Sequence, residues 1–327
     1  MASTPFEAAG AGAPVALRTL IIGTGGTIAG NASSAHDNIG YRSAERSAQE
    51  LVSAVPGLQG LPLESVQLFQ TDSKDLTHAH WWALREALQQ ALARADIGGV
   101  VVTHGTDTLE ETAYWLHRTL RADKPVVLTA AMRPATSLQA DGPQNLLDAV
   151  TVARHVGACG VLAVLAGRVH AGHELRKLRA YRVDAFSSAD QGPLAWLEEG
   201  RLRQLRPWPV PADATAAARL PPQPMAEPVS WPWVEIVHSH AGASGRAVEA
   251  LLGAGVQGLV VAATGNGTIH QSLLAALQRA EQRGVPVLRA TRCVLGGLVE
   301  DGAWPPSAQT LTPAQARVEL MCRLMGH

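Results

Sequence analysis

The 327-residue chain reads as a two-domain α/β protein, with a larger N-terminal domain on a mainly parallel sheet flanked by helices and a smaller C-terminal α/β domain. Three observations predict this. Short apolar runs rich in branched residues alternate with stretches of helical length, the pattern of strands buried on both faces by crossover helices. The length exceeds what one ordinary core organises. Eight prolines, from Pro207 to Pro232, fall among alanines and separate two such alternating regions. Such a segment is a semi-rigid, extended linker. The expected division is a flexible segment over 1–16, a catalytic-type α/β domain over 17–206, the linker over 207–232 and a second α/β domain over 233–327.

The elements follow in order. Leu20–Ile22 has the length and branching of a buried strand, and Gly23-Thr24-Gly25-Gly26-Thr27 after it allows backbone geometry that side chains forbid. Asn31 to Tyr41 is polar, contains glycine and reads as a flap. Glu45 to Val55 reads as a helix stopped by Pro56-Gly57. Glu64 to Phe69 alternates as a strand and leads into the polar turn Thr71-Asp72-Ser73-Lys74-Asp75. A helix spans Thr77 to Ala95, and a buried strand, Val100 to Thr103, ends at His104-Gly105-Thr106-Asp107. Thr108-Leu109-Glu110-Glu111 matches a capping box that opens the next helix. Strands at Pro125–Leu128 and Gly160–Leu165 enclose a helix from Asp141-Gly142-Pro143 to about Val156. Beyond the linker, strands at Val234–Val237, Leu259–Ala262 and Pro286–Leu288 alternate with helices at Ala243–Leu252 and Gln271–Arg283. Thr312-Pro313 starts a last helix, with proline at its favoured first position.

Composition excludes several classes of partner. Charged residues are 17% and the formal net charge is −1, so there is no electrostatic footprint for nucleic acid or an anionic membrane, and a small neutral or zwitterionic ligand fits better. No stretch approaches the ~20 apolar residues that span a bilayer. Three isolated cysteines, Cys159, Cys293 and Cys322, suit a reducing compartment. Met1 to Val15 has neither the basic start nor the apolar block of a signal peptide. These features together predict a cytoplasmic protein.

The glycine loop fits neither common nucleotide motif. A dinucleotide fingerprint from Gly23 needs glycine where Ile28 stands, and a phosphate loop from Gly25 needs lysine where Asn31 stands. No cofactor is therefore expected. For metal, His170 with His173 and Glu174, His78 with His80, and His238 with His240 are close in sequence, but none has a known ligand spacing, so no metal is expected.

In open α/β sheets ligands sit at the carboxyl ends of the strands. Thr24, Thr27, Ser73, Thr106 and Asp107 all follow strands, so hydroxyls and a carboxylate can converge on one crevice. That set suits the head group of an α-amino acid and can supply a nucleophilic oxygen. Each threonine taken singly better suits a helix cap or a turn, and it is their co-occurrence at successive strand ends that points to a site. A threonine hydroxyl needs a base, and Tyr41 on the flap and Lys177 are the two candidates. All but three of the 27 basic residues are arginine, and the exceptions are Lys74, Lys124 and Lys177. Lysine, unlike arginine, gives up its proton when desolvated, so these three positions are worth testing against the structure.

Thr24-Gly25-Gly26-Thr27-Ile28-Ala29-Gly30 and, about eighty residues later, Thr103-His104-Gly105-Thr106-Asp107-Thr108 with Leu109-Glu110-Glu111 resemble the paired signatures of the bacterial-type L-asparaginase family. Ala131-Met132-Arg133-Pro134, Asp141-Gly142-Pro143-Gln144-Asn145 and Gly265-Asn266-Gly267 resemble further segments of it. The resemblance runs from Leu17 to the last helix and skips the linker. It implies hydrolysis of L-asparagine, with L-glutamine a second substrate in a broader variant, through Thr27 as nucleophile and a β-aspartyl acyl-enzyme. Tyr41 is then the flap group that activates Thr27, while Thr106, Asp107 and Lys177 form a second catalytic group. Gly26, Ser73, Lys74, Gly105, Thr106, Asp107, Ala131 and Asn266 line the substrate site. The resemblance further implies a homotetramer of close dimers in which one chain's second domain completes its neighbour's site. An alternative is an amino-acid sensor that keeps the site without turnover.

Three places depart from the family pattern. Lys74 stands where amine-binding relatives often have Gln or Glu, so it points away, pairs with an acid such as Asp72, or alters substrate preference. Leu178-Arg179-Ala180-Tyr181 lacks the usual threonine-rich run. In the short stretch from Cys293 to Ser307, Glu300 and Asp301 are the only candidates for the acid that some relatives send into a neighbouring site.

Overall fold

The computed structural model describes residues 17–209 and 227–327, so the expected N-terminal segment and most of the linker lie outside the described residues. The first half runs Arg18–Gly25 (β1), Ala48–Ser53 (α1), Leu63–Thr71 (β2), His78–Ala93 (α2), Ile97–Thr103 (β3), Leu109–Thr119 (α3), Val126–Thr129 (β4), Gly142–Ala153 (α4) and Val161–Leu165 (β5). Short strands follow at Arg168–Ala171 (β6), Arg176–Lys177 (β7), Phe186–Ser187 (β8), Ala195–Glu198 (β9) and Arg201–Gln204 (β10). The C-terminal region holds Val234–His238 (β11), Arg246–Ala254 (α5), Gly258–Ala263 (β12), Gln271–Gln282 (α6), Val287–Thr291 (β13) and Pro313–Leu324 (α7).

The main sheet has eight strands in the order β10-β9-β6-β5-β4-β3-β1-β2. From β2 to β5 the pairs are parallel, and the β5–β6, β6–β9 and β9–β10 pairs are antiparallel. These last strands are short and mixed in polarity, which is why the sequence pattern does not reveal them. Alternation along each central strand divides its apolar side chains between two layers. Leu20, Ile22, Val100, Val102 and Leu128 meet α2, α3 and α7, while Ile21, Val101, Val127 and Leu162 meet α1 and α4. The chain leaves β1 for β2 on one side and returns to β3 on the other. The strand order therefore reverses at β1, and the loops after β1 and β3 diverge to leave a crevice, the place where open α/β sheets bind ligands.

A separate parallel sheet, β11-β12-β13, has Val237, Leu259 and Val261 packed against α5 and α6. Its other face turns Val260 and Leu288 toward α7, which also packs on α3 and so forms the seam between the two sheets. Glu319 of α7 is buried there and accepts hydrogen bonds from Tyr114 at 2.9 Å and Arg118 at 2.7 Å.

Two local expectations are corrected. The helix expected from Glu45 begins at Ala48, because Ser47 and Glu50 form a reciprocal capping box and the amides of Glu45 and Arg46 are bound to the Ala29 carbonyl. No capping box forms at Thr108: its hydroxyl donates instead to the Ser73 carbonyl at 2.9 Å, tying α3 to the turn after β2.

Candidate active site

The turn after β1 is shaped by its glycines. Gly25 and Gly26 have φ of 106° and 82°, in the left-handed region that favours glycine. A β-carbon on Gly26 would collide with the backbone of Gly105, so the loops after β1 and β3 touch at two glycines. The next residue in each loop is a threonine, Thr27 and Thr106, and both are buried. Thr27 opens a 3-10 turn over Thr27–Ala29, and its hydroxyl lies 2.7 Å from the Tyr41 hydroxyl. The Tyr41 ring fits because residue 30 is glycine: a β-carbon there would stand 2.8 Å from Tyr41 Cδ2. The flap is fixed at its base by paired backbone bonds between Asn31 and Arg42 and by the Ala44 amide donating to the Gly26 carbonyl.

A second group forms after β3. The Lys177 ammonium donates to Thr106 Oγ1 at 2.9 Å and to Asp107 Oδ1 at 2.6 Å. Because the Thr106 oxygen accepts from the ammonium, its own proton is directed elsewhere. Lys177 is largely enclosed and Asp107 half-exposed, so the carboxylate faces the crevice from a charge-assisted pair. Ser73 is buried, and its hydroxyl accepts from the Asp107 amide at 3.2 Å. A β-carbon on Gly105 would overlap the Ser73 side chain, so this approach too depends on glycine. His104 is fully buried, and burial lowers it to about 4, leaving a neutral imidazole against the Gly105 carbonyl.

The remaining expected residues divide. The Lys74 ammonium is bonded to Asp75 at 2.7 Å and lies 3.2 Å from Asp72, and these two carboxylates raise its pKa. Burial pushes Asp72 up, but the Ser43 hydroxyl and Lys74 hold it below the usual carboxylate value. Ala131 is fully buried beyond β4, where Gly142 lets α4 approach both Ala131 and Ile28. Asn266 lies in the C-terminal region, its amide bonded to the Val299 backbone and not to the Thr27 or Thr106 group. Asp301 is engaged by the buried Arg289 at 2.8 Å. Thr24 does not face the crevice: its hydroxyl donates to the Thr103 carbonyl at 2.8 Å and ties β1 to β3. Lys124, the third lysine, donates to the Leu92 and Arg94 carbonyls and caps the end of α2.

Glu110 adds a residue that the sequence pattern presents only as part of a capping box. Its carboxylate accepts from the Lys177 amide at 2.8 Å, and burial raises its pKa despite that bond and the nearby cations Arg176 and Lys177. A match between a residue in the first turn of α3 and one nearly seventy positions later has no local signal. Asp141 accepts from the Met132 and Arg133 amides at 3.0 and 2.9 Å, fixing the turn after β4. Among the described residues no group of three or more His, Cys, Asp or Glu side chains is arranged to hold a metal.

A hydroxyl paired to a tyrosine lies beside a second hydroxyl paired to Lys and Asp at the switch point of a parallel sheet, the place where α/β proteins bind small ligands. Comparison with known proteins gives the family. The model of the asparaginase N-terminal domain matches residues 18–209, and that of the glutaminase/asparaginase C-terminal domain matches 233–326. L-asparaginase 2 of Escherichia coli K12 is 35% identical over 96% of this chain and 90% of its own length. Glutaminase-asparaginase of Pseudomonas fluorescens biotype A is 33% identical over 93% and 85%. The crystal structure of a probable cytoplasmic L-asparaginase from Campylobacter jejuni superposes with a TM-score of 0.86 at 34% identity, covering 95% of this chain and 96% of that one. The chain belongs to the asparaginase family and is a hydrolase.

Proposed function

We propose that the protein hydrolyses L-asparagine to L-aspartate and ammonia, with Thr27 as nucleophile. The observation that carries this reading is the Thr27–Tyr41 hydroxyl pair set beside the Lys177–Thr106–Asp107 group across the Gly26–Gly105 contact. Tyr41 relays the proton: its oxygen takes up the Thr27 hydroxyl proton as its own phenolic proton passes toward the substrate nitrogen, while Thr27 Oγ1 adds to the side-chain carbonyl carbon. Leading amides of the 3-10 turn lack carbonyl partners within it and suit the oxyanion, an effect worth ~3 to 4 kcal/mol per donor. The C–N bond breaks, the nitrogen leaves as ammonia carrying the proton that came from Thr27 by way of Tyr41, and a β-aspartyl ester remains on Thr27. Water positioned by Thr106, itself polarised by Lys177 and Asp107, adds to the ester and releases aspartate. Asp107 and Ser73 hold the substrate's ammonium and carboxylate ends, with Gly26, Gly105 and Ala131 shaping the pocket and Lys74 at its margin.

L-Glutamine is a second substrate in this reading, favoured by the relative named glutaminase-asparaginase. One methylene changes discrimination by only ~1 to 3 kcal/mol. We further propose a homotetramer of close dimers in which Asn266 of one chain reaches its neighbour's site. With Asp301 engaged by Arg289, Glu300 is the better candidate for an acid supplied in the same way. Relatives are described as cytoplasmic and as periplasmic. No helix among the described residues is long and apolar enough to cross a membrane, and the free cysteines favour a reducing, cytoplasmic setting.

Ammonia release from L-asparagine and L-glutamine tests the reading directly. Thr27→Ala is expected to lower kcat by ~10⁴-fold or more while leaving asparagine binding measurable by calorimetry, because the nucleophile acts only in the chemical step. Wild-type protein that binds asparagine without releasing ammonia would instead make it a sensor. Light scattering tests the assembly.

A further inference from the structure

We infer that Glu110 is a positioning residue for Lys177, fixing the ammonium against Thr106 from behind through a bond to the Lys177 backbone. The inference rests on the amidohydrolase reading for its functional consequence, but its structural basis is separate. β7 and β8 form a two-stranded ribbon in which Lys177 faces Phe186 and the Leu178 amide donates to the Ala185 carbonyl. Alternate amides of such a ribbon point outward and need a partner from elsewhere. For Lys177 that partner is the Glu110 carboxylate, at 2.8 Å.

Glu110 stands in the first turn of α3, three residues after Asp107. The helix start that carries Thr106 and Asp107 on its leading loop therefore also holds the backbone of the residue whose ammonium they bind. Lys177 is gripped at both ends by one rigid element, and the long side chain spans a fixed distance between them. The second Glu110 oxygen accepts from Thr312, the N-cap of α7, at 3.4 Å, so the brace extends to the seam with the C-terminal region. Beside it lies a cavity of about 140 Å³ lined by Glu110, Arg176, Lys177 and Thr312 among others. Water entering from that cavity can solvate the groups left behind when the carboxylate is removed.

The test compares wild type, Glu110→Ala and Glu110→Gln, by steady-state kinetics on L-asparagine and by hydrogen exchange of the Lys177 amide. Glu110→Ala is expected to lower kcat by about 10- to 100-fold with KM within about threefold, as an ångström of misplacement suffices for such a loss. It should also speed exchange of the Lys177 amide. Glu110→Gln keeps an acceptor in the same place and is expected to recover kcat to within about threefold, with exchange still slow. The inference is overturned if Glu110→Ala turns over at the wild-type rate, if Glu110→Gln is as impaired as Glu110→Ala, or if KM rises in place of the fall in kcat. A wild type inactive on both amides would overturn the amidohydrolase reading, and amide exchange alone would then decide the tether.

Discussion

Thr27 with Tyr41, and Thr106 with Lys177 and Asp107, are two threonine hydroxyls at neighbouring strand ends held in opposite ways. The first has one hydroxyl–hydroxyl bond, 2.7 Å long, between a buried turn and a flap held at its base and by bonds of Ala32 and Ala35 to Thr136 and Leu138, with Ile39 at the flap tip largely exposed. The second is charge-assisted, with bonds of 2.9 and 2.6 Å, and is backed by Ser73, Thr108 and Glu110. In the proposed mechanism this difference is a division of labour. The electrostatic half is organised before substrate arrives, as stabilisation of developing charge requires. In the same mechanism the Thr27 half rests on the flap that carries Tyr41, a kind of segment that enzymes open to admit substrate and close over it.

The comparison breaks most clearly at Lys177. Lys177→Met keeps length and bulk but removes the ammonium, leaving Thr106 unpolarised and the Asp107 carboxylate without its partner. Turnover is expected to fall by ~10³-fold, within the range for loss of a positioned proton-transfer group, with the circular dichroism spectrum unchanged. Retention of more than a tenth of the wild-type kcat would mean that the preorganised group is structural and that the chemistry rests on Thr27 and Tyr41 alone. On the other side, Tyr41→Phe removes only the hydroxyl that faces Thr27. Here kcat should fall by ~10²-fold, less than for Lys177→Met because water can substitute at a flap that opens. If Tyr41→Phe proves the more damaging of the two, the order of dependence drawn from the geometry is reversed.

What the sequence made legible follows the same division. The paired glycine-threonine turns are contiguous strings, so Thr27, Thr106 and Asp107 stand out as strand-end residues before any coordinates, and central strands such as Leu20–Ile22 are marked by their unbroken branched runs. Lys177 was reachable through composition, because a rare lysine in an arginine-rich chain is conspicuous. Lys124, equally rare, is a helix cap, so the signal does not discriminate by itself. The antiparallel strands β6, β9 and β10 carry mixed patterns and depend on the neighbours they pair with. Thr24 looked like a site residue because side-chain direction alternates along a strand, and one position decides between crevice and sheet. Glu110 was hidden because its partner is a backbone amide brought near only by the tertiary fold.

Lys74 sharpens the comparison at its smallest scale. As a fixed cation following Ser73, it would repel a substrate ammium group and raise KM if it faced the crevice. The geometry instead gives its ammonium two carboxylates, Asp75 at 2.7 Å and Asp72 at 3.2 Å, and leaves the side chain more than half exposed. Exposed pairs of this kind are weak and screened by salt, so breaking them changes little elsewhere. Lys74→Gln is accordingly expected to shift KM for L-asparagine by no more than about twofold at physiological ionic strength, where the Debye length is only ~8 Å. A larger fall in KM, growing as salt is lowered, would show that the cation acts on the substrate ammonium. Asp72 would then serve to moderate that repulsion through a bond shared with Ser43, at the base of the same flap that carries Tyr41.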